Sequence, residues 1–583
     1  MRLEDYWGVG PKTKELLESE LGTAAAIDAI ESANSRALME AGLSRGRATR
    51  ILRQAQGGEG MVVLATSDTR AVYKALLDLI EEYAVTRHAA DRIRVLTPLM
   101  DVAAMEERLE EILQAMETWG RLDPAERQPV LAAFEEYDSV DGGEQSAVEA
   151  AIALATADVT EGPFAPVATL DTDALADAVD ALAALEGDRV ADGADEELDR
   201  LRSTAREVEA LQGNALDIVE EIQADTVRGT DEFREAFLDY LTTETDAPIE
   251  TIRDVMPMEA TDATDFVSET LRSLRTELEE TAAEREATVR ETFEADIEAA
   301  RSDIDAAVAA VDDIAFELSL ARFALEFDLT RPTFVTDRET VAVEDARNLL
   351  LEATEEDIQP ITYAIGSHGL TGPTAPPSDD QVTVLTGANS GGKTTLLETL
   401  CQVALLAQMG LPVPASHAEV TPMDAIVFHR RHASFNAGVL ESTLRSIVPP
   451  LAAGGRSLML VDEFEAITEP GSAADLLHGL VKLTVDRDAL GVFVTHLADD
   501  LAPLPDAARI DGIFAQGLNP DLELEVDYQP QFGTVGRSTP EFIVSRLVAD
   551  ATDRTERAGF ETLAEAIGEE AVQRTLADAK WSS

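Results

Sequence analysis

The sequence predicts a multidomain chain in three parts. An N-terminal helix-hairpin-helix module spans residues 1–60, and an all-α core spans 61–370, carrying a lever or clamp-like helical hairpin at about 190–330. A C-terminal α/β domain of the P-loop NTPase type spans 371–583. Three observations lead there. At 583 residues the chain is too long for one hydrophobic core. Its middle shows three–four apolar spacing and few strand signals. Further on, a glycine-rich loop stands between an apolar strand and a helical run.

Composition sets the class. There are 46 Lys+Arg against 113 Asp+Glu, a net charge of −67, and arginine supplies nearly all the positive charge. Such acidity fits a domain that repels or mimics nucleic acid, or a solvated surface of the kind carried by cytoplasmic proteins of salt-loving archaea. The acid is spread evenly from residue 60 onward, which favours the solvated surface. The single cysteine, Cys401, excludes an intramolecular disulfide and a thiolate metal cage. No apolar run follows Met1–Asp5, and no stretch approaches a membrane span. A soluble, cytoplasmic protein with no membrane partner is expected.

The first 56 residues depart from the acidity. Arg2, Lys12, Lys14, Arg36, Arg45, Arg47, Arg50 and Arg53 balance eight acids. Gly8-Val9-Gly10-Pro11-Lys12-Thr13 lies between two short helical patterns, and a second turn follows at Ala41-Gly42-Leu43-Ser44-Arg45-Gly46. Glycines permit tight turns with positive φ, and the amides after them open helix N-termini that hold phosphate. Gly8, Gly10, Lys12, Lys14, Arg45 and Arg47 are therefore candidate DNA-backbone contacts, made without reading bases. A plain helical cap with glycine turns would show the same residues.

In the middle, Leu198, Leu201, Ala205, Val208, Leu211, Ala215, Ile218 and Ile222 follow helical spacing. So do Val267, Leu271, Leu274 and Leu278, and the pattern closes with Val308, Val311, Ile314 and Leu318. Segments 190–226 and 267–330, joined by a Pro- and Asp-containing stretch, read as an antiparallel hairpin. The second would reach about 90 Å if unbroken. The pattern equally allows a compact bundle.

A Gly- and Pro-containing loop at 366–380 marks a boundary. Then come the strand Val382-Thr383-Val384-Leu385, the loop Gly387-Ala388-Asn389-Ser390-Gly391-Gly392-Lys393-Thr394, and a helical run from Thr395 to Leu406. The glycines let backbone amides wrap phosphates, Lys393 reaches the outer phosphates, and Thr394 offers its hydroxyl to Mg²⁺. ATP with Mg²⁺ is the expected ligand pair, with Thr395 beside them. Downstream, the strand Leu458–Val461 ends in Asp462 and Glu463. Asp462 suits the metal or its waters, and Glu463 suits polarising an attacking water. The strand Gly491–Val494 runs through Thr495 to His496, which can contact a γ-phosphate. Glu463 and His496 are the candidate catalytic residues. Each element alone is common, but all three in this order fit one parallel sheet.

These motifs resemble the MutS family over most of the chain. Its nucleotide loop is similar to Thr386–Thr395, its Asp-Glu strand to residues 458–463 and its switch to Thr495-His496. Leu440-Glu441-Ser442-Thr443-Leu444 resembles the family's Ser-Thr-Phe segment, which implies that Ser442 meets the nucleotide of a partner subunit. Gly533-Thr534-Val535-Gly536-Arg537-Ser538 resembles a segment of the second MutS subfamily, and Ala324–Phe334 resembles the core helix leading to the ATPase. The resemblance favours the clamp and implies a homodimer through the ATPase domains, sandwiching two ATP·Mg²⁺ and holding double-stranded or branched DNA. It points to the archaeal branch of that subfamily and a possible role in DNA repair or recombination. Departures are also present. No mismatch-wedge domain, connector domain or nuclease-like tail is expected, Asn348 stands where the family usually has His, and Phe464-Glu465-Ala466-Ile467-Thr468 replaces glycines.

Other functions stay open at this point. An SMC-like structural DNA clamp would place a coiled coil between Lys393 and Asp462, and here that gap is short. A transporter subunit would need a signature that Gly454-Gly455-Arg456 does not supply. A nucleotide-gated scaffold without a repair role would have no need of Glu463.

Overall fold

The glycine and proline signals near the N-terminus act where expected. Gly10 precedes helix α1 (Pro11–Glu20), with Pro11 at its first position, where a missing N–H costs nothing. Helices α2 (Thr23–Glu31), α3 (Ser35–Glu40) and α4 (Arg45–Ala55) follow, packed around Leu17, Ile30, Leu38, Ile51 and Leu52. The protein is described by a computed structural model over residues 2–567, apart from 4–5, 7, 32–33, 56–57, 140–142, 188, 225–228, 355–357, 373, 388–391, 431–436, 468–469, 519–523, 537–539 and 552. It forms two compact units, one of residues 1–127, 161–163 and 312–583, the other of residues 128–160 and 164–311.

The second unit is helical apart from a short antiparallel ribbon, β1 (Leu185–Glu186) with β2 (Arg189–Val190). The expected hairpin differs from what forms. Segment 190–226 breaks at Gly213-Asn214 into helices Glu196–Gln212 and Ala215–Ala224, because Gly213 ends the first and the Asn214 carbonyl starts the second. The joining stretch is itself helical, at Thr230–Glu244 and Ile249–Val255. Its Phe237, Leu241 and Ile252 pack with Leu198, Val208, Ile218, Val267 and Leu271 into one core. The rings of Phe233 and Phe237 meet Phe266 edge-on, at 6.2 and 5.9 Å. Ion pairs from Arg202 to Glu286 (2.8 Å) and from Arg285 to Asp195 (2.6 Å) close it. The region is thus a packed bundle, not a two-helix arm. Helix Ala263–Glu326 does run unbroken for 64 residues.

The first unit holds two sheets. Their strands are β3 (Thr333–Phe334), β4 (Thr340–Ala346), β5 (Ile361–Gly366), β6 (Val382–Gly387), β7 (His417–Val420), β8 (Ala425–His429), β9 (Ser457–Val461), β10 (Leu490–Val494), β11 (Ala508–Leu518) and β12 (Leu524–Phe532). The larger sheet has the order β12-β11-β6-β10-β9-β8, parallel throughout except for antiparallel β12. Strands β6, β8, β9 and β10 are buried along their whole length, so they read as continuous apolar runs, not alternations.

The smaller sheet, β3-β7-β4-β5, corrects the expectation of an all-α core up to residue 370. Residues 333–366 supply β3, β4 and β5; β3 and β4 flank β7, which lies beyond the glycine loop in sequence, and β5 pairs with β4. The break at 366–380 therefore does not separate two folds. Buried on both faces, Val341-Ala342-Val343 and Ile361–Ile365 show no alternation, and short apolar runs of that kind read alike as strand or helix.

Edge strand β8 is covered by the start of helix α5 (Ser67–Glu81). The Thr66 hydroxyl donates to the Phe428 carbonyl at 2.5 Å, and the Thr69 hydroxyl donates to the Ile426 carbonyl at 3.0 Å while accepting the Phe428 N–H at 2.9 Å. Side chains here take the place of a neighbouring strand and close an edge. No described helix is long and apolar enough to cross a membrane. Replacing Thr69 with Val should destabilise the first unit by about 1–3 kcal/mol, since it takes the partner from the buried Phe428 N–H; urea unfolding followed by tryptophan fluorescence measures the shift.

Candidate nucleotide site

The site forms where β6, β9 and β10 end on the same edge of the sheet, and register sets this convergence. Leu385 lies opposite Val494, and Phe493 opposite Val461, so the residues after each strand emerge together. Gly387 closes β6 at φ 137°, where a Cβ would stand 2.3 Å from the Ile513 carbonyl oxygen. Ala388, Asn389, Ser390 and Gly391 lie outside the described residues. The chain resumes at Gly392, left-handed at φ 72°, which caps helix Lys393–Gln408.

Lys393 is buried, and its Nζ donates to the Gly387 carbonyl at 3.0 Å, closing the two ends of the loop. The Thr394 hydroxyl donates to Asp462 Oδ2 at 2.7 Å. Asp462 is buried just past β9, and its N–H donates to the His429 carbonyl at 2.9 Å. Hydroxyl and carboxylate at this spacing are hard oxygen donors suited to Mg²⁺. Glu463 has φ 39°, an unusual conformation for a residue with a side chain, held by its N–H bonding the Val494 carbonyl at 3.1 Å. Its Oε1 lies 3.1 Å from His496 Nε2, and the His496 N–H donates to Glu465 Oε1 at 2.6 Å. The two candidate catalytic side chains are therefore in direct contact. Electrostatics around the loop helix come from Glu398, whose carboxyl is raised by burial and opposed by Arg430 at 2.7 Å.

A cleft of about 420 Å³ opens beside these groups. Lys393, Thr394, Thr395, Glu463, Asn348, Gln359 and Tyr528 are among the residues that line it. Tyr528 crosses Gly392 so closely that a Cβ there would lie 2.7 Å from its ring. Gln359 fixes that wall, donating to Asp527 Oδ1 at 2.8 Å and accepting the Tyr528 N–H at 3.1 Å. Asn348 is buried between the cleft and the loop helix, bonded to Thr399 (3.3 Å) and Gln402 (3.0 Å). Sequence reading noted Asn348 only as a departure and missed Gln359 and Tyr528. No local motif marks those two, because only the β11–β12 pairing carries Tyr528 back to the loop.

The other expected contacts fall elsewhere. Ser442 is exposed on helix Ala437–Ala453 and does not line the cleft. Arg537 and Ser538 lie outside the described residues, as does the side chain of Arg45. At the N-terminus, Gly8 (φ 86°) precedes the turn into α1, Lys12 is exposed, and Lys14 Nζ lies 3.6 Å from Glu18. The Arg47 guanidinium donates to the Thr13 hydroxyl, so the first turns of α1 and α4 meet.

Residues 383–508 match the family model described as MutS domain V. The chain is 42% identical over 236 residues to DNA-binding protein MutS2 of Pyrococcus furiosus, covering 40% of each chain. It is 28% identical over 367 residues to DNA mismatch repair protein MutS of Natronomonas pharaonis, covering 59% of this chain and 40% of that one. To Endonuclease MutS2 of Thermomicrobium roseum it is 34% identical over 121 residues, covering 20% and 15%. The matched stretches thus span 40% or less of these relatives' own length. The chain carries a MutS domain V, built on a P-loop sheet, and is related to the MutS family, with MutS2-like proteins among its relatives.

Proposed function

We propose that the chain is a DNA-binding ATPase of the archaeal MutS2-like branch, coupling ATP hydrolysis to a grip on duplex or branched DNA without sequence preference. The observation that carries this reading is the joint placement of Lys393 on Gly387, Thr394 on Asp462 at 2.7 Å and Glu463 on His496 at 3.1 Å, all at one sheet edge. ATP phosphates would lie against the amides that open helix Lys393–Gln408, with Lys393 neutralising the outer charge. Thr394 and Asp462 would hold Mg²⁺, which supplies further neutralisation of the phosphates. Glu463 would orient and deprotonate the attacking water, and His496, in contact with it, would meet the γ-phosphate. Tyr528 and Gln359 offer a flat wall for the base.

Homodimerisation through the ATPase domains would bring Ser442 to the partner's nucleotide, which agrees with its exposure and its absence from its own cleft. The adjoining starts of α1 and α4 support a backbone-gripping role for Gly8, Gly10, Lys12, Lys14, Arg45 and Arg47. Against an SMC-like clamp, the stretch between Lys393 and Asp462 contains β7, β8 and helix Ala437–Ala453, which belong to the domain itself.

ATPase rates measured in multimolar KCl with duplex, single-stranded, mismatched and branched DNA test the reading; no turnover under any of them would remove it. Lys393→Ala should abolish nucleotide binding by calorimetry. Glu463→Gln should bind ATP normally but lower kcat by about 10²–10⁴-fold; an unchanged rate excludes the role given to it. Deleting residues 1–56 should weaken retention of naked duplex in a gel-shift assay and leave basal hydrolysis in place.

A further inference from the structure

One buried junction behind the glycine loop has no part in the chemistry above. Thr386, 2% exposed at the end of β6, donates its hydroxyl to the Asp511 carbonyl at 3.0 Å and accepts the Gly536 N–H at 2.6 Å. The Asp511 side chain is fully buried and accepts from Arg509 Nε (3.0 Å), the Tyr363 hydroxyl (3.0 Å) and the Gly533 N–H (3.2 Å). Arg509 continues to the carbonyls of Ala364 (2.6 Å) and Pro377 (3.1 Å). Burial pulls the Asp511 carboxyl upward, and the Arg509 guanidinium opposes it.

The backbones in this junction touch. A Cβ on Gly512 would stand 2.4 Å from the Gly536 nitrogen, and one on Gly536 would stand 3.0 Å from Gly387 Cα. Gly387 is the residue whose carbonyl receives Lys393. A continuous line of contacts therefore runs from segment 533–536 through Thr386 and Gly387 to the loop lysine. Past that segment, helices Pro540–Asp550 and Arg554–Ile567 share a small apolar cluster of Val544, Val548, Phe560 and Ala564.

We propose that Thr386 is a positioning residue of the nucleotide loop, and that its hydroxyl joins the shape of that loop to segment 533–536. This rests on the nucleotide reading of the cleft and adds to it a second element that senses occupancy. A buried hydroxyl that donates to one backbone and accepts from another holds the two at a set separation, and without it the Gly536 N–H loses this partner.

The test uses the full chain and a nonhydrolysable ATP analogue with Mg²⁺. Thr386→Val should weaken analogue binding about tenfold and raise KM by a like factor while kcat changes little, and Thr386→Ser should stay within about twofold of the unaltered chain. In the unaltered chain the analogue should slow hydrogen exchange of the peptide containing 533–536, a measurement that decides the matter even if the Val variant does not fold. Equal affinity of the Val variant, or exchange at 533–536 indifferent to the analogue, overturns the proposal alone. Failure of the unaltered chain to bind the analogue overturns the nucleotide reading and this inference together.

Discussion

The candidate site depends on the parallel pairing of β10 with β6 on one side and β9 on the other. That pairing is what makes three loops from distant parts of the chain emerge at one edge, and it holds because every residue of β6, β9 and β10 is buried. A one-residue slip would turn alternate side chains to the opposite face and separate Asp462 from Thr394. Burial of apolar strands thus determines where the polar groups meet. The left-handed Glu463 is tolerated for the same reason, because its amide is already committed to the end of β10.

Polar groups inside the first unit are used as fasteners between elements that the chain order keeps far apart. Thr66 and Thr69 close the β8 edge, Gln359 joins a loop to β12, and Asn348 joins a turn to the loop helix. Each replaces hydration with a direct bond in a place where an unpaired group would be costly. The structure is therefore specified by a few hydroxyls and amides set within a large apolar core, of which Val341, Tyr363, Leu400 and Val492 are part.

The acidity has a different bearing. With a net charge of −67, local neutrality in residues 1–56 is the exception. Concentrated salt weakens the counterion release that drives most phosphate binding, and arginine, with its planar fork, retains directional contacts under those conditions. Arg47 makes a directional contact within the fold, donating to the Thr13 hydroxyl across two helix starts.

What the sequence determined by itself were the features encoded within a few consecutive residues. The strand and helix on either side of the glycine loop could be read there, as could the acids closing β9 and the Thr-His step closing β10; segment 267–330, read as helical, formed most of helix Ala263–Glu326. Each follows from local backbone geometry or from one unchanging period. What only the tertiary structure decided were pairings between distant segments. β3 and β4 became strands because β7 was there to bond them, and 230–255 turned an expected hairpin into a bundle by burying Phe237 and Ile252. Tyr528 reached the cleft through an edge-strand pairing. Short apolar runs leave helix and strand undecided until a partner satisfies their hydrogen bonds, and that partner is chosen by long-range packing, which no local pattern records.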